Sequence, residues 1–354
     1  MKAVVYHGKK DIRLQDWDEP IPGPADLKLR VTYCGICATD IEEWQFGPLW
    51  VQHDSPNPLT GAIIPIVLGH EITGVIVEPT DRVSRYTNLI GKRVVVNNIL
   101  TCGNCFWCLR GWQAVCPQLA VAGFSADGGL QEFMVWPEDK VIKLPDSIPE
   151  DEGSLLEPAT IAVHAVRKSG AKPGDTVAVF GVGTVGILTI QILISLGIKV
   201  IAIDKKQKSL NLAKKMGVWI TVNNTIKDPL NECLELTNGI GPDIVLETSG
   251  ANEIPAEAIR CTRRGGTTIL VGIYSSKAEL DFNDIVGSER TVKGAVAADP
   301  GDMEIAVDMA ASGQIKLSDL VSKKVPLSNV IKEGFEPMLN PNKDVYRILI
   351  QPTV

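Results

Sequence analysis

Residues 176–204 read TVAVFGVGTVGILTIQILISLGIKVIAID, and this stretch decides the fold of the chain. Residues 176–198 carry no charged side chain, and an apolar segment of this length is able to cross a bilayer as a helix. Gly181, Gly183 and Gly186 interrupt it after a β-branched run, however, and Gly197 ends the apolar stretch that follows. The pattern therefore predicts a buried parallel strand, a tight turn and a helix packed on a sheet.

The glycine turn has the spacing of a dinucleotide-binding site. Gly181 permits the tight turn, Gly183 lets a pyrophosphate approach the backbone, and Gly186 lets the helix pack against the strand. The diphosphate then lies on free N–H groups at the helix N-terminus, where the helix dipole favours negative charge. Val185 lies in the same turn and belongs to the predicted cofactor site.

Asp204 ends the second strand, where a carboxylate accepts hydrogen bonds from the ribose hydroxyls of the adenosine. A carboxylate at this position repels a 2′-phosphate, so the sequence favours NAD over NADP. Lys205, Lys206 and Lys208 weaken that argument, because a cation beside the ribose would pair with the phosphate. FAD is disfavoured because the fingerprint lies in the middle of the chain, after a complete β domain.

Outside this stretch, the pattern divides the 354 residues into domains. Strands and helices alternate through 157–298, which predicts an α/β fold with a doubly wound parallel sheet of the Rossmann type. Residues 1–156 are rich in proline, glycine and short β-like runs, which predicts a mainly antiparallel β domain. Residues 299–354 carry helical patterns at 302–312 and 327–338 and a final strand, and we expect them to return to the first domain.

The charge and the first residues restrict the expected partners and location. The net charge is −7 and the pI about 5.3, whereas nucleic-acid binding requires basic patches. Met1 leads directly into the strand-like run KAVVY without an apolar signal segment. We therefore expect a cytoplasmic protein that binds a small molecule and neither nucleic acid nor a membrane.

The segment CGNCFWCLRGWQAVC contains Cys102, Cys105, Cys108 and Cys116. Two-residue gaps let neighbouring sulfurs converge on one ion, and the fourth thiolate completes a tetrahedron around Zn²⁺. Four thiolates leave no open coordination position, so we expect the lobe at 97–118 to hold a structural zinc. A pair of disulfides is the alternative, which a reducing cytoplasm disfavours.

A second set of metal-binding side chains is scattered along the chain: Cys37 in GICATD, His70 and Glu71 in GHE, and Glu157 in LLEP. Their spacing alone does not establish a site, because a single histidine is more often a structural residue. Cys34 and Cys37 also form a CxxC pair, for which a redox role is the alternative.

The motifs GICATD, GHE followed by Gly74, the four-cysteine lobe, LLEP and FGVGTVG occur in this order. In sequence and order they resemble those of the zinc-dependent medium-chain alcohol and polyol dehydrogenases, over essentially the whole chain. Within that family, the extended segment before His70 is most similar to that of (R,R)-butanediol dehydrogenases. Sorbitol dehydrogenase and threonine 3-dehydrogenase are the next nearest types.

This resemblance implies a GroES-like catalytic domain and two zinc ions per chain, one structural and one catalytic. It implies that Cys37, His70 and Glu157 hold the catalytic zinc, with Glu71 as an alternative ligand that exchanges with Glu157. It also implies NAD-dependent interconversion of a secondary alcohol, such as 2,3-butanediol or a polyol-like vicinal diol, and its ketone. A homotetramer or homodimer is expected on the same basis.

The resemblance also suggests a proton relay. Thr39 matches the hydroxyl that carries the proton in the family, but Glu42 occupies the position of the usual histidine. Glu42 is therefore a candidate proton acceptor, and exit through the cofactor ribose and water is the alternative. Thr39 and Glu42 also have the spacing of a helix N-cap with its capping box, and this structural role is compatible with the relay.

Several alternatives stay open at this point. Trp44, Phe46 and Trp50 either wall a substrate pocket or pack on the domain surface. A threonine 3-dehydrogenase or another polyol or inositol-type dehydrogenase would share all of these motifs. A zinc-free quinone or enone reductase and a non-catalytic NAD-binding protein belong to different classes, which the second ligand set opposes.

Overall fold

The computed structural model describes residues 1–79, 90–340 and 345–353. It divides into two compact units. The β unit comprises Met1–Glu157, Asp299–Ala311 and Leu317–Val354, and the α/β unit comprises Pro158–Ala298 and Ser312–Lys316. In the described residues, no helix is both long and apolar enough to span a membrane.

The first part of the β unit is built from short strands and two helices. In chain order they are β1 (Lys2–Gly8), β2 (Asp11–Asp16), β3 (Asp26–Ile36), α1 (Ala38–Phe46), β4 (Ile66–Val67), β5 (Glu71–Pro79), β6 (Arg93–Val96), β7 (Ile99–Leu100), β8 (Ala120–Val121), β9 (Phe133–Pro137), β10 (Val141–Lys143) and α2 (Glu150–Gly153).

Strands and helices alternate in the next part of the chain, as the sequence predicts. They are α3 (Leu156–Ser169), β11 (Thr176–Phe180), α4 (Thr184–Ser195), β12 (Lys199–Asp204), α5 (Gln207–Lys215), β13 (Ile220–Asn223), α6 (Pro229–Leu236), β14 (Ile244–Glu247), α7 (Ile254–Cys261), β15 (Thr267–Leu270), α8 (Asn283–Val286) and β16 (Thr291–Gly294). The strands pair in parallel in the order β13-β12-β11-β14-β15-β16. The strand order therefore reverses between β11 and β14, which is the switch point of a doubly wound sheet.

The remaining residues contain α9 (Asp302–Ala311), β17 (Val321–Pro326), α10 (Glu336–Met338) and β18 (Arg347–Gln351). The helical pattern predicted at 327–338 is helical but mostly not α: a 3-10 turn, Leu327–Asn329, leads into a π-helix, Val330–Phe335, before α10. Tight packing accompanies this geometry, because a Cβ atom at Gly334 would lie 2.7 Å from the Ile36 side chain.

The sheets of the β unit are mainly antiparallel. One has the order β2-β1-β4 and a second the order β10-β6-β5-β3-β18-β17, with β9 also paired to β3 and a separate β7-β8 pair. Only the β17–β18 pairing is parallel among the described strands of this unit. Together with the parallel sheet of the α/β unit, this confirms the predicted fold class.

The three aromatic residues near α1 have different environments. Trp44 is partly buried and packs edge-on against the buried Phe335, with ring centroids 5.6 Å apart, and so packs against the core of the β unit. Phe46 and Trp50 are 63% and 45% exposed. Core packing therefore accounts for Trp44, whereas Phe46 and Trp50 lie at the surface.

Candidate active site

The sheet register brings distant parts of the chain to one point. Strand β3 ends directly before Cys37, β5 begins at Glu71 and β18 begins at Arg347. Because β5 and β18 run antiparallel to β3 on its two sides, their first residues lie beside its last residues. Glu71 is opposite Gly35, where a Cβ atom would overlap the Glu71 carboxylate. The glycine therefore makes room for the acid.

Cys37, His70 and Glu71 form a cluster at this point. Each offers one ligand atom, and these atoms all lie within 4.8 Å of one another. His70 and Glu71 are 5% and 0% exposed, and Oε2 of Glu71 is buried without a hydrogen-bond partner among the described residues. A buried, unpaired carboxylate oxygen is costly unless a cation lies beside it. A thiolate, an imidazole and a carboxylate are the donors that zinc binds, so the cluster fits a zinc ion.

Arg347 is a site residue that the sequence analysis missed. Its Nη2 lies 2.6 Å from Oε1 of Glu71, and its Nη1 donates a hydrogen bond to the carbonyl of Ile36 at 3.2 Å. Arg347 is 4% exposed, so it contributes a buried positive charge to the cluster. The only sequence signal is a cation at the start of the apolar strand RILIQ, which no motif marks.

Burial and charge set the protonation of the cluster. Burial raises the pKa of Glu71 to about 7, against the effect of Arg347 and with a further contribution from Glu157. Burial also raises the pKa of Glu157, which the His70 charge partly offsets. Burial raises the pKa of Cys37 as well, but Arg347 and His70 outweigh it and hold that pKa below its usual value. A cation bound in the cluster would therefore favour the deprotonated forms of Cys37, Glu71 and Glu157, and these are the forms that bind a metal.

Asp40 orients two members of the cluster and was also missed. Its Oδ2 accepts a hydrogen bond from the Cys37 backbone N–H at 2.8 Å, and its Oδ1 lies 3.4 Å from Nδ1 of His70. Burial lowers the pKa of His70, but the charge and hydrogen bond of Asp40, together with those of Cys37, outweigh burial and raise the pKa above its usual value. Phe124 packs against the His70 ring, with centroids 5.0 Å apart. The imidazole is thus fixed by an acid on one side and an aromatic ring on another.

The predicted capping box of Thr39 and Glu42 is wrong. Helix α1 begins at Ala38, so Cys37 is the N-cap residue and Asp40 supplies the carboxylate of the box. A cysteine is not among the usual N-cap residues, which is why the Thr-x-x-Glu spacing suggested the later position.

The two relay candidates lie on α1. Oγ1 of Thr39 is 3.6 Å from Sγ of Cys37, so the hydroxyl is next to the metal cluster. Glu42 is half-buried and three residues further along the helix, on the same face. The relay itself stays a prediction.

Glu157 lies in the first turn of α3 and is 8% exposed. Its Oε1 accepts a hydrogen bond from Nδ2 of Asn98 at 3.1 Å. In the part of the chain that the structure describes, it does not join the cluster of Cys37, His70 and Glu71. Its assignment as a zinc ligand stays a prediction.

The four cysteines of the lobe converge on one point. Sγ of Cys116 lies 3.6 Å from Sγ of Cys102 and 4.0 Å from that of Cys105, and Cys102 and Cys108 are 3.9 Å apart. Sulfurs bound tetrahedrally about 2.3 Å from a central zinc lie about 3.8 Å apart, whereas disulfide sulfurs lie about 2.05 Å apart. All four are free thiols, so the disulfide alternative does not describe this geometry. Backbone N–H donation, chiefly from Asn104, lowers the pKa of Cys102 to about 6, which favours the thiolate.

The glycine turn connects β11 to α4. Gly181 has a φ of +85°, and a Cβ atom there would lie 2.7 Å from the backbone nitrogen of Ser249. A Cβ atom at Gly186 would overlap the carbonyl of Gly181, so close packing requires glycine at both positions. Gly183 is exposed and has no atom within 4 Å of its Cβ position, which leaves this side of the turn open to a ligand. Val185 is half-buried in the first turn of α4.

Asp204 is fixed to this turn. Its Oδ2 accepts a hydrogen bond from the N–H of Val182 at 2.6 Å, and its Oδ1 accepts one from the N–H of Lys206 at 2.7 Å. Each carboxylate oxygen has two acceptor positions, so both keep capacity for a ribose hydroxyl.

Two family models match the chain: the alcohol dehydrogenase GroES-like domain over residues 23–146 and the zinc-binding dehydrogenase over residues 184–312. The (R,R)-butanediol dehydrogenase of Bacillus subtilis (strain 168) is 35% identical over 356 residues, covering 99% of this chain and 100% of that protein. The chain belongs to the zinc-binding alcohol dehydrogenase family. It is therefore an oxidoreductase, and the resemblance inferred from the motifs is confirmed.

Solved structures share the fold of this alcohol dehydrogenase. The crystal structure of 2R,3R-butanediol dehydrogenase from Bacillus subtilis has a TM-score of 0.91 and 34% identity, covering 99% of both chains. A zinc-binding dehydrogenase from Sinorhizobium meliloti 1021 bound to NADP has a TM-score of 0.87 and 28% identity, covering 99% of both. A short chain alcohol dehydrogenase from Escherichia coli CFT073 complexed with NADH has a TM-score of 0.87 and 25% identity, also covering 99% of both.

Proposed function

We propose that this alcohol dehydrogenase is NAD-dependent and interconverts a secondary alcohol, 2,3-butanediol or a polyol-like vicinal diol, and its ketone. The observation that carries the proposal is the buried cluster of Cys37, His70 and Glu71, whose ligand atoms lie within 4.8 Å of one another. The butanediol dehydrogenase of Bacillus subtilis, similar over the whole chain, supports the diol as substrate.

In this proposal Cys37, His70 and Glu157 hold the catalytic zinc, with Glu71 as the exchanging ligand. The four cysteines of the lobe hold a structural zinc. Bound at the site of Cys37, His70 and Glu157, zinc would act as a Lewis acid and increase the acidity of the alcohol hydroxyl. Oxidation removes a hydride from the carbinol carbon, which NAD accepts, and a proton from the hydroxyl. The Thr39 hydroxyl is next to Cys37, so it accepts that proton and passes its own toward Glu42 or water.

The substrate is tested by measuring NAD reduction with diols, polyols, hydroxy amino acids and simple secondary alcohols. We expect the highest kcat/KM with 2,3-butanediol or another vicinal diol. A clear preference for threonine would instead make the chain a threonine 3-dehydrogenase. Absence of NAD reduction with the whole panel would contradict the proposal.

Glu157→Gln is expected to lower the zinc content from two ions to one per chain, whereas Glu71→Gln is expected to retain both. The reason is that Arg347 holds Glu71 in a buried ion pair, whereas the neutral amide of Asn98 donates a hydrogen bond to Glu157. Elemental analysis after gel filtration measures the zinc, and Glu152→Gln on α2 is the matched control. Loss of zinc in Glu71→Gln alone would assign the carboxylate ligand to Glu71.

Asp204→Ala is expected to lower kcat/KM for NAD about ten- to a hundred-fold, because a hydrogen bond to a charged group contributes about 1.5–3 kcal/mol. The preference for NAD over NADP should shrink at the same time, since the repulsion of the 2′-phosphate is removed. The measurement is kcat/KM with both cofactors, and Glu235→Ala, an exposed acid of the same unit, is the control. A native enzyme that prefers NADP would show that Lys205, Lys206 or Lys208 governs the pocket.

The assembly and location belong to the same proposal. Strand β16 lies at the edge of the parallel sheet, with β15 as its one strand neighbour in the described residues. Near it in sequence, Phe282, Val286 and Val296 are 70%, 75% and 45% exposed. An open sheet edge with exposed apolar side chains favours pairing with another chain. These features support a homodimer or homotetramer, which we place in the cytoplasm.

A further inference from the structure

Glu247 is a fully buried acid that the proposed chemistry does not use. It is the last residue of β14 and is 0% exposed. Carboxylates are buried in this way only where donors compensate the lost hydration. Its position is also distinctive, because the strand order reverses between β11 and β14, and dinucleotides bind at the carboxyl ends of the strands at such a point.

The Glu247 carboxylate joins two loops. Its Oε1 accepts hydrogen bonds from the backbone N–H groups of Ser249 at 2.7 Å and Gly250 at 3.1 Å, and from the Ser249 hydroxyl. Its Oε2 accepts a hydrogen bond from the hydroxyl of Tyr274. Burial and the neighbouring carboxylate raise the pKa of Tyr274, so the phenol remains a donor. The acid thus connects the loop after β14 to the loop after β15.

The two loops pack closely around this pair. A Cβ atom at Gly272 would lie 2.6 Å from Oε2 of Glu247, and one at Gly250 would lie 2.5 Å from the carbonyl of Ile273. Ile273 itself is 44% exposed, which leaves an apolar side chain beside Tyr274 at this edge of the sheet. The loop after β14 is in turn tied to the glycine turn, since the Thr248 hydroxyl donates to the carbonyl of Gly181 at 2.7 Å.

In a doubly wound sheet, the two halves bind different nucleotides of a dinucleotide cofactor. A doubly wound sheet consists of two mononucleotide-binding halves. Asp204 ends β12 in the first half, where it faces the adenosine in our proposed function. Glu247 ends β14 and Tyr274 lies in the loop after β15, both in the second half, where the nicotinamide nucleotide lies in our proposed function. We propose that Glu247 and Tyr274 are positioning residues that fix loop 271–274 for binding of the nicotinamide nucleotide; this inference rests on the proposed use of NAD.

Tyr274→Phe tests this inference in the full-length, zinc-loaded enzyme. Isothermal titration calorimetry compares NADH with ADP-ribose, which has the adenosine and both phosphates but lacks nicotinamide. We expect the Kd for NADH to rise about ten-fold, since the variant loses a hydrogen bond to a charged group. The Kd for ADP-ribose should stay unchanged. A general structural defect would weaken both ligands together.

Two further variants complete the test. Glu247→Gln keeps an acceptor for Ser249 and Gly250 but loses the charged acceptor of Tyr274, so it should show the same NADH-specific loss. The double variant should lose little more than either single one, because the pair acts as a unit. Ser275→Ala, an exposed neighbour in the sequence, should change neither affinity.

The outcomes separate the two proposals. A native enzyme that binds no NADH overturns the cofactor assignment and this inference with it. A native enzyme that binds NADH, with a Tyr274→Phe variant of equal NADH affinity, overturns the inference alone. Equal losses for NADH and ADP-ribose also overturn it, since the pair would then act on the whole site.

Discussion

His70→Ala is expected to lower kcat/KM for alcohol oxidation by at least about 1,000-fold, because a metal Lewis acid contributes several kcal/mol and each 1.36 kcal/mol is a factor of ten. NADH binding should be retained, since the glycine turn belongs to the α/β unit and His70 to the β unit. Steady-state kinetics and NADH titration measure the two effects. Cys37→Ala should behave in the same way.

The chain offers a matched control for this variant. His53 lies in a loop, where its Nδ1 is 3.3 Å from the carbonyl of Val51, and among the described residues it does not belong to the cluster of metal-binding side chains. His53→Ala should therefore retain activity. Near-normal kcat in His70→Ala would remove the catalytic role of the cluster, whatever its zinc content.

Cys105→Ser should mainly reduce stability. Structural zinc contributes about 10–16 kcal/mol to folding in isolated zinc-finger peptides, and even part of that would lower the Tm of this larger chain by at least about 5 °C. The reason is that three pairs of these sulfurs lie 3.6 to 4.0 Å apart, as in a tetrahedral site, so the loss of one ligand would leave the zinc incompletely bound. Differential scanning calorimetry with zinc analysis measures both changes.

The activity of the folded Cys105→Ser fraction should stay near normal, because the closed lobe contributes no group to the chemistry. Asn104→Ser changes an exposed side chain of the same lobe and should leave both Tm and zinc content unchanged. An unaltered Tm in Cys105→Ser, with one zinc lost, would show that the lobe does not stabilise the fold.

The parts of the molecule that are local in sequence could be predicted from it. The glycine turn, its flanking strands and Asp204 lie within one continuous stretch, so periodicity and composition determine them. The four cysteines are equally local, and their spacing alone indicated a tetrahedral site. The cluster of Cys37, His70 and Glu71 is different, because strand register rather than spacing brings its members together. Only the resemblance to a family pointed to it.

The missed residues show where sequence patterns fail. Arg347 contacts the carbonyl of Ile36, 311 residues earlier in the chain, and no local pattern indicates such a partner. The sequence did not indicate Asp40 as a capping residue, because Thr39 and Glu42 have the more usual residue types of a capping box. Their spacing suggested a helix start two residues after the observed N-cap, Cys37. The π-helix at Val330–Phe335 packs against the side chain of Ile36 in β3. Helical periodicity in the sequence does not indicate this contact, so the π-helix could not be predicted from it.

The pairing of β18 with β3 bears on how the enzyme is made on the ribosome. Strand β18 lies between β3 and β17, so it is an interior strand, yet it is translated after the entire α/β unit. The α/β unit is nearly continuous in sequence, so we expect it to fold during translation, whereas the sheet of the β unit lacks an interior strand until β18 is made. Until then the ion pair between Glu71 and Arg347 cannot form, because Arg347 lies in β18. We therefore expect the candidate metal site to be completed late in biosynthesis, after the α/β unit has been translated.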